Sequence, residues 1–371
     1  MKNDTIRRID GLLERRIVLI VVIAAVVPAF GLTDVLVNRY RDSRQGLAQE
    51  WTTRGQQDLA ARPGAAVEDF QTALSYAPDR SDTRFLLAKA LIADHRPSEA
   101  SSQLLTLSDE QPGSGEINLE LARIAGGEQD LPTAVRYYHA AIDGAWESGA
   151  TTARREARLE LARLLMAHGQ AVRAQAELIA LIDDLPMDVR LITEVGKLLA
   201  DAGAPVRALS LFRRALELDP VDVRAASLAG ELEFKSGDLV AARRDLRTAA
   251  RNGALDPEAR DMLDVANRAL ALDPYVDRLG GTGRASRALR ALDIAKARLN
   301  RCAPMPELQM RMDAAAKIRP RALARDADLI DQTMELVFDV EKLAPGSCGG
   351  DTPDDRALAI IGSKHATAQS Q

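Results

Sequence analysis

The chain has 371 residues, a formal net charge of −5, and 46% apolar but only 4% aromatic residues. This length exceeds one ordinary domain, and an acidic balance without a basic patch argues against nucleic-acid binding. A composition rich in alanine and leucine favours closely packed helices, whereas strands prefer β-branched and aromatic residues. We therefore expect an all-α fold.

An apolar run of 21 residues at 17–37 predicts a transmembrane helix. A helix of that length extends about 31 Å, enough to cross the hydrocarbon core of a bilayer. Arginine and tyrosine residues, typical of membrane interfaces, flank the run at 15–16 and 39–41. A cleaved signal peptide with a weak site at 29–31 is the alternative. Because the apolar run continues past that site, we favour an uncleaved signal anchor.

The orientation of this anchor follows from the distribution of basic residues. Five lie before the run and three shortly after it, which predicts a cytoplasmic segment at 1–16 and a large remainder outside. In a bacterial cell this corresponds to a single-pass protein of the inner membrane with its main part in the periplasm.

The region after the anchor is internally repetitive. Six alanines recur at steps of 34, 34, 40, 34 and 34 residues, and four residues beyond each is a bulky apolar residue. Twelve residues beyond, four of the six sites hold proline, and twelve before, five hold alanine or glycine. The alanines are Ala66, Ala100, Ala134, Ala174, Ala208 and Ala242, and the bulky residues are Phe70, Leu104, Tyr138, Leu178, Phe212 and Leu246.

This spacing resembles the tetratricopeptide repeat (TPR), a helix–turn–helix unit of 34 residues. Trp146 and Ala254 stand where proline is usual, Arg54 replaces the small residue of the first helix, and residues 149–154 are an excess that we expect to lengthen a helix locally. The resemblance covers 47–256 and implies an α-solenoid of six helical hairpins, at 47–80, 81–114, 115–148, 155–188, 189–222 and 223–256.

Beyond the repeats, residues 257–348 predict a helical cap that hides the last apolar face of the array. Amphipathic stretches lie at 258–272, 284–299, 307–318 and 321–343, with a glycine-rich linker at 280–283 and a turn or kink at Pro320. The polar residues 349–371 predict a flexible tail.

Two cysteines, Cys302 and Cys348, are the only ones in the chain. If the helices between them form a hairpin, the two thiols meet, and in an oxidising compartment we expect a disulfide bond. The alternative is two unrelated reduced thiols.

No arrangement of residues typical of catalysis is present, so an enzyme is not expected. The four histidines lack metal-ligand spacing and suit surface or packing positions, and the glycine run lacks the strand of a phosphate-binding loop. We expect no cofactor, no metal ion and no small-molecule substrate.

The resemblance also implies a peptide-binding groove lined by the ninth position of each repeat. Four consecutive repeats place a basic residue there, while Gly55 takes this position in the first repeat. A row of bases beside apolar side chains suits an acidic peptide or a free carboxylate terminus. The alternative is a solvated helix face. The groove residues are Lys89, Arg123, Arg163 and Lys197, with Phe85, Leu119 and Leu159 one turn earlier.

These features predict a membrane-anchored scaffold or adaptor that binds protein partners, in assembly, secretion or quality control at the cell envelope. The alternative is a structural subunit permanently integrated in a membrane complex.

Overall fold

The computed structural model describes residues 33–301, 305–343 and 352–369, with side chains to residue 366. Apart from one isolated β-bridge, all regular structure in these residues is helical, which confirms the all-α prediction for the described part. The chain divides into two compact units, an N-terminal unit, Met1–Leu164, and a C-terminal unit, Leu165–Gln371.

The N-terminal unit is a series of antiparallel helical hairpins. Its last helix, α7, runs a few residues past the boundary of the unit. The helices are α1 (33–58), α2 (Pro63–Tyr76), α3 (Ser81–Ala93), α4 (Pro97–Glu110), α5 (Gly115–Gly127), α6 (Leu131–Asp143) and α7 (Ala150–Ala167).

The C-terminal unit continues with hairpins and ends in a bundle. A short 3₁₀ turn, Ile182–Asp184, follows its first helix. The helices are α8 (Ala171–Leu181), α9 (Val189–Asp201), α10 (Pro205–Leu218), α11 (Val223–Lys235), α12 (Leu239–Asn252), α13 (Pro257–Leu272), α14 (Gly281–Leu299), α15 (Pro306–Ala315), α16 (Pro320–Leu323), α17 (Ala327–Leu343) and α18 (Pro353–Gln369).

Each predicted repeat contains a pair of helices, and the recurrent alanines and bulky residues lie in the core. Ala66, Ala100 and Ala134 are completely buried, as are Phe70 and Phe212. The excess residues before the fourth repeat lengthen its first helix, as expected. Helix α7 has 18 residues, whereas the first helices of the neighbouring repeats have 13.

A close approach between the two helices of a hairpin explains why alanine or glycine recurs twelve residues before the repeated alanines, in a column of small residues on the first helix. A Cβ atom on Gly196 would lie 2.7 Å from the Phe212 ring. In the first repeat the corresponding residue is Gly55, where a Cβ would lie 2.7 Å from the Phe70 ring. The assignment of Arg54 to this column and of Gly55 to the groove was therefore wrong by one position. The chain between the paired residues is one residue shorter in the first repeat, which shifts the register.

The turn inside each of the second to sixth hairpins contains one residue with a left-handed backbone. The next residue donates its N–H to a carbonyl five residues earlier, for example Arg96 to Leu91 at 2.8 Å and Ala204 to Leu199 at 2.8 Å. This Schellman bond satisfies a carbonyl at the helix end. The left-handed residues are His95 (φ 59°), Gln129 (64°), Gly169 (70°), Gly203 (83°) and Gly237 (86°).

The predicted membrane span lies mostly outside the described residues. Its last five residues, 33–37, form the first turn of α1 and are exposed. Among the helices that the structure describes, none combines the length and the apolar character needed to cross a bilayer.

Within residues 352–369, the C-terminal region differs from the predicted flexible tail at 349–371. In place of a loose tail, residues Pro353–Gln369 form α18, in which Ala357, Leu358 and Ile361 are buried. The His365 ring stacks on that of Tyr275, with centroids 4.3 Å apart. Its buried apolar residues are few and lie in a largely polar sequence, so the composition of this segment concealed its packing.

Ion pairs hold α18 against α13 and α14. Arg356 pairs with Asp261 at 2.6 Å, Arg268 with Asp354 at 2.9 Å, and Arg301 with Asp355 at 2.9 Å. Asp355 is almost fully buried, and burial alone would raise its pKa. Hydrogen bonds from the backbone and hydroxyl of Thr352 and the charges of Arg298 and Arg301 outweigh this and lower it. The carboxylate of Asp355 therefore stays charged and fixes the start of α18.

A second buried carboxylate, Glu233 on α11, has a raised pKa, because the effect of burial exceeds that of the neighbouring positive charges. Burial and the neighbouring Asp245 raise the pKa of Glu233 to about 7. The guanidinium groups of Arg213 and Arg244 lie 3.3 and 3.7 Å from the Glu233 Oε1 atom and reduce this rise in pKa. The folded chain therefore binds a proton at this site at a pH where an unfolded chain has lost it.

We expect glycine at the left-handed non-glycine sites to stabilise the fold. His95→Gly and Gln129→Gly should each raise the free energy of unfolding by roughly 0.5 kcal/mol, because relief of backbone strain exceeds the entropy of the new glycine. Urea denaturation of the purified chain measures this. As the matched reverse change, Gly203→Ala should lower the free energy of unfolding. If Gly203→Ala has no effect and His95→Gly is destabilising, backbone strain does not govern stability at these turns.

Glu233 should make stability depend on pH. Because its pKa is raised in the folded state, its contribution is complete below about pH 4.5 and is lost as the pH rises through 7, a change of roughly 3 kcal/mol. Glu233→Gln should flatten the dependence of the unfolding free energy between pH 5 and 8, measured by denaturation at several pH values. Glu217→Gln, an exposed site on α10, is the control. An unchanged pH profile for Glu233→Gln refutes the assignment.

Candidate functional site

The predicted basic row is only partly available for a ligand. Lys89, Arg123 and Arg163 are exposed in the N-terminal unit. The Arg123 guanidinium pairs with Glu160 at 2.7 Å and with Glu120 at 2.9 Å. These carboxylates raise the pKa of Arg123 further, chiefly through the hydrogen bond to Glu160. One positive charge with two negative charges leaves this cluster acidic.

Two of the other three basic residues, Lys89 and Lys197, have contacts with identified neighbours. The Lys89 ammonium lies 5.7 Å from the centre of the Phe85 ring, a cation–π contact. In the C-terminal unit, the Lys197 ammonium pairs with Asp201 at 2.7 Å. The basic side chains thus occur at the predicted sequence positions, but local acidic residues offset two of the charges.

The three apolar groove residues differ in burial. Leu119 is 7% exposed and Leu159 is 5% exposed, so both belong to the core and do not line an accessible groove. A leucine at this point of the first helix is drawn into contact with the neighbouring helices because its burial removes apolar surface from water. Phe85 is half-buried and lines an open cleft.

This cleft of about 730 Å³, here named the acidic cleft, lies within the N-terminal unit. Helices α3 and α5 and the segment after α6 contribute most of its surface. Its apolar lining consists of Phe85, Leu86, Leu107, Ile117, Ala145 and Trp146, and its polar lining of Gln56, Ser81, Asp82, Gln111, Gly113, Ser114, Glu116 and Glu147.

Backbone pairing builds one wall of the acidic cleft. Gly115 donates to the carbonyl of Ala145 at 2.8 Å, and Ala145 donates to the carbonyl of Gly113 at 2.8 Å. These bonds fasten the segment after α6 to the turn before α5. The Trp146 indole donates to the carbonyl of Ala141 at 3.0 Å and lies against Gly115, where a Cβ would be 2.4 Å from the ring. The tryptophan that breaks the repeat pattern therefore forms part of the site.

The charge of the acidic cleft is negative. None of its lining residues is basic. Asp82 pairs with Arg80 at 2.5 Å, and this hydrogen bond lowers the pKa of Asp82. Glu116 and Glu147 make no ion pair or hydrogen bond through their side chains with any residue that the structure describes. Two carboxylates and two aromatic rings therefore face an open volume.

These acidic residues were not predicted as site residues, because they lie outside the ninth position of each repeat, the position that lines the groove in the repeat family. Asp82 and Glu116 both occupy the second position of their repeats, in the second and third hairpins. A comparison of that column would have shown the paired acids. The position of Glu147 depends on the bonded segment after α6, which the repeat pattern does not encode.

Gly115→Ala should disturb this wall. Its Cβ would overlap the Trp146 ring, so we expect a loss of about 1–3 kcal/mol in the free energy of unfolding. A red shift of Trp146 emission in a Trp51→Phe background should accompany it. Gly113→Ala is the matched control, because no atom lies within 4 Å of the position that its Cβ would take. Equal effects of the two changes contradict the packing described here.

Residues 59–124 match the family model of the tetratricopeptide repeat, which confirms the resemblance for this segment. No curated protein matches the chain. Among solved structures, PilF of Pseudomonas aeruginosa is 18% identical with a TM-score of 0.36, and the alignment covers 58% of this chain and 91% of that one.

Two further solved structures are similar over most of their own length. YrrB, described as a TPR protein with an unusual peptide-binding site, is 17% identical with a TM-score of 0.41, over 50% of this chain and 93% of that one. The C-terminal part of a TPR repeat-containing protein from Cytophaga hutchinsonii is 12% identical with a TM-score of 0.45, over 81% of this chain and 96% of that one.

Proposed function

Because residues 59–124 are tetratricopeptide repeats, a module that binds protein or peptide partners, we propose that this chain is a membrane-anchored interaction scaffold. In this proposal the acidic cleft of the N-terminal unit holds an extended segment of a partner protein. The proposed role is in assembly, secretion or quality control at the cell envelope.

The observation that carries this proposal is the composition of the acidic cleft. An open volume of about 730 Å³ offers apolar and aromatic surface beside unpaired carboxylates. The half-buried rings of Phe85 and Trp146 can pack against an aliphatic side chain, since aromatic side chains supply large contact areas at protein interfaces. Such a cleft suits a peptide segment with alternating apolar and charged side chains.

Charge complementarity identifies the charged side chains of that segment as basic. Glu116 and Glu147 lack partners among the described residues, so a lysine or arginine of the ligand would form ion pairs without displacing an internal one. An acidic residue entering the same cleft would meet like charges at a cost. The proposed ligand is therefore a segment that combines basic and apolar residues.

A preference for acidic partners at Lys89, Arg123 and Arg163 is the competing prediction for the same unit. It would require Arg123 to exchange its pairs with Glu120 and Glu160 for a ligand carboxylate. That exchange gains little free energy, because one ion pair replaces another. For this reason we favour the basic segment.

The proposal includes the signal anchor at residues 17–37, with the N terminus in the cytoplasm and the repeats in the periplasm. Exposed apolar side chains in the first turn of α1, Val35 and Leu36, continue the apolar run and support it. On a solvated surface such a cluster has no partner, whereas a bilayer would cover it.

The disulfide between Cys302 and Cys348 belongs to the same proposal, although both residues lie outside the described part. Helix α14 ends at Leu299 and α17 at Leu343, each within five residues of one cysteine. The buried ion pair between Arg298 and Glu341 joins these two helix ends. This contact supports a short separation of the thiols, and the periplasm would allow their oxidation.

Peptide binding to the full chain in detergent tests the proposed site. We expect an octapeptide of alternating lysine and leucine to bind, and its counterpart with glutamate in place of lysine to bind more weakly, by fluorescence anisotropy. Glu116→Gln/Glu147→Gln should weaken binding of the lysine peptide about fivefold to tenfold, since each exposed ion pair contributes up to ~1 kcal/mol. Salt should reduce the difference.

Glu68→Gln/Glu128→Gln is the control, because it removes the same charge at exposed sites outside the cleft. Equal losses in both double variants would indicate non-specific attraction and reject the site. Tighter binding of the glutamate peptide, weakened by Arg123→Gln and Arg163→Gln, would assign the ligand to the basic row instead.

A further inference from the structure

A second opening in the N-terminal unit lies between α1 and the turn that joins α2 to α3. It encloses about 860 Å³ and is here named the arginine pocket. Its distinctive lining residues are Tyr40, Arg41 and Arg44 on α1, and Tyr76, Asp79 and Arg80 at the turn. Three arginines, two tyrosines and a single carboxylate make it the opposite in charge of the acidic cleft.

Hydrogen bonds to neutral groups orient two of the arginines. Arg44 donates to the backbone carbonyl of Ser75 at 2.6 Å, and Arg80 donates to the side-chain carbonyl of Gln49 at 2.8 Å. Arg80 also pairs with Asp82, which offsets its charge. Arg44 is paired only with neutral groups, and Arg41 makes no side-chain bond with any residue that the structure describes. Two positive charges are therefore available to an anion.

The position of the arginine pocket along α1 limits what this anion can be. The same helix begins with exposed apolar residues, of which Val35 and Leu36 are 60% and 64% exposed. From Val37, the helical rise places Arg41 about 6 Å and Arg44 about 10 Å further along the axis. The headgroup layer of a bilayer is about 5–8 Å thick on each side. If the apolar residues enter the hydrocarbon, the backbone of Arg41 lies within the headgroups and that of Arg44 a few ångströms beyond them, a distance that a long arginine side chain can span.

The geometry points to the arginine pocket as a binding site for the headgroup of an anionic phospholipid. The phosphodiester of the lipid is the group that Arg41 and Arg44 would bind, with Tyr40 at the interface, where tyrosine is favoured. This contact would fix the N-terminal unit at the membrane surface beside its anchor. The inference rests on the proposed anchor, because without it the pocket has no bilayer next to it.

The helix also provides a matched control. Arg39 lies on α1 between the same apolar residues and Arg41, it is exposed, and it does not line the arginine pocket. Replacing Arg39 removes the same charge from the same membrane-proximal turn. A specific site and a general attraction of basic residues to anionic lipid therefore predict different results.

Native mass spectrometry of the full chain in detergent, with phosphatidylglycerol and phosphatidylcholine in competition, tests the site. We expect the wild type to retain one phosphatidylglycerol in preference to phosphatidylcholine. Arg41→Gln should reduce this preference about fivefold, and Arg41→Gln/Arg44→Gln about 25-fold, because each change removes one charge-assisted bond to the phosphodiester. Arg39→Gln should leave it unchanged. Circular dichroism of each variant checks the fold, and the single change at exposed Arg41 disturbs no internal bond.

Three results would overturn the inference. An equal loss in Arg39→Gln and Arg41→Gln would indicate general surface charge, and an unchanged preference in the double variant would exclude the pocket. Displacement of the lipid by millimolar inorganic phosphate would assign the pocket to a free anion. Extraction of membranes with sodium carbonate tests the anchor separately. Release of the chain would reject the anchor, whereas retention without lipid preference would reject only the pocket.

Discussion

The structure depends on one steric constraint, the close approach of the two helices within each hairpin. Where a glycine of the first helix meets a bulky side chain of the second, any added Cβ would overlap it, as at Gly55 with Phe70 and Gly196 with Phe212. This approach buries the bulky residue completely. It also leaves each hairpin with an apolar face that only the next hairpin covers, so stability is gained by stacking.

The wall of the acidic cleft and the closure by α18 both occur where the chain departs from this repeating contact. Trp146 replaces the proline that would end the third hairpin, and the chain there bonds back to the turn before α5. The result is a wall of the acidic cleft. At the other end of the chain, α18 covers the last helices through buried apolar residues and through ion pairs such as Arg356 with Asp261. A regular repeat would have supplied neither the cleft wall nor this closure.

Local pairing decides which charges are available to partners. Arg123 has a prominent position in sequence, yet Glu120 and Glu160 surround it. Glu116 attracts no attention in sequence, and Arg41 is only one of several basic residues beside the predicted span, yet neither has a partner among the described residues. The N-terminal unit therefore has an acidic cleft and a separate arginine pocket, and the two proposals assign them to ligands of opposite charge. Net charge alone, at −5, would have suggested neither.

The sequence by itself determined the helical class, the period of the hairpins and the core columns, because small and bulky residues must alternate wherever two helices approach at fixed spacing. It also predicted the lengthened α7. Only the tertiary structure decided that Leu119 is buried, that Gly55 and not Arg54 meets Phe70, and that residues after 352 form a packed helix. Those outcomes depend on which side chains meet from distant parts of the chain. A repeat period carries no information about contacts made by residues that break it.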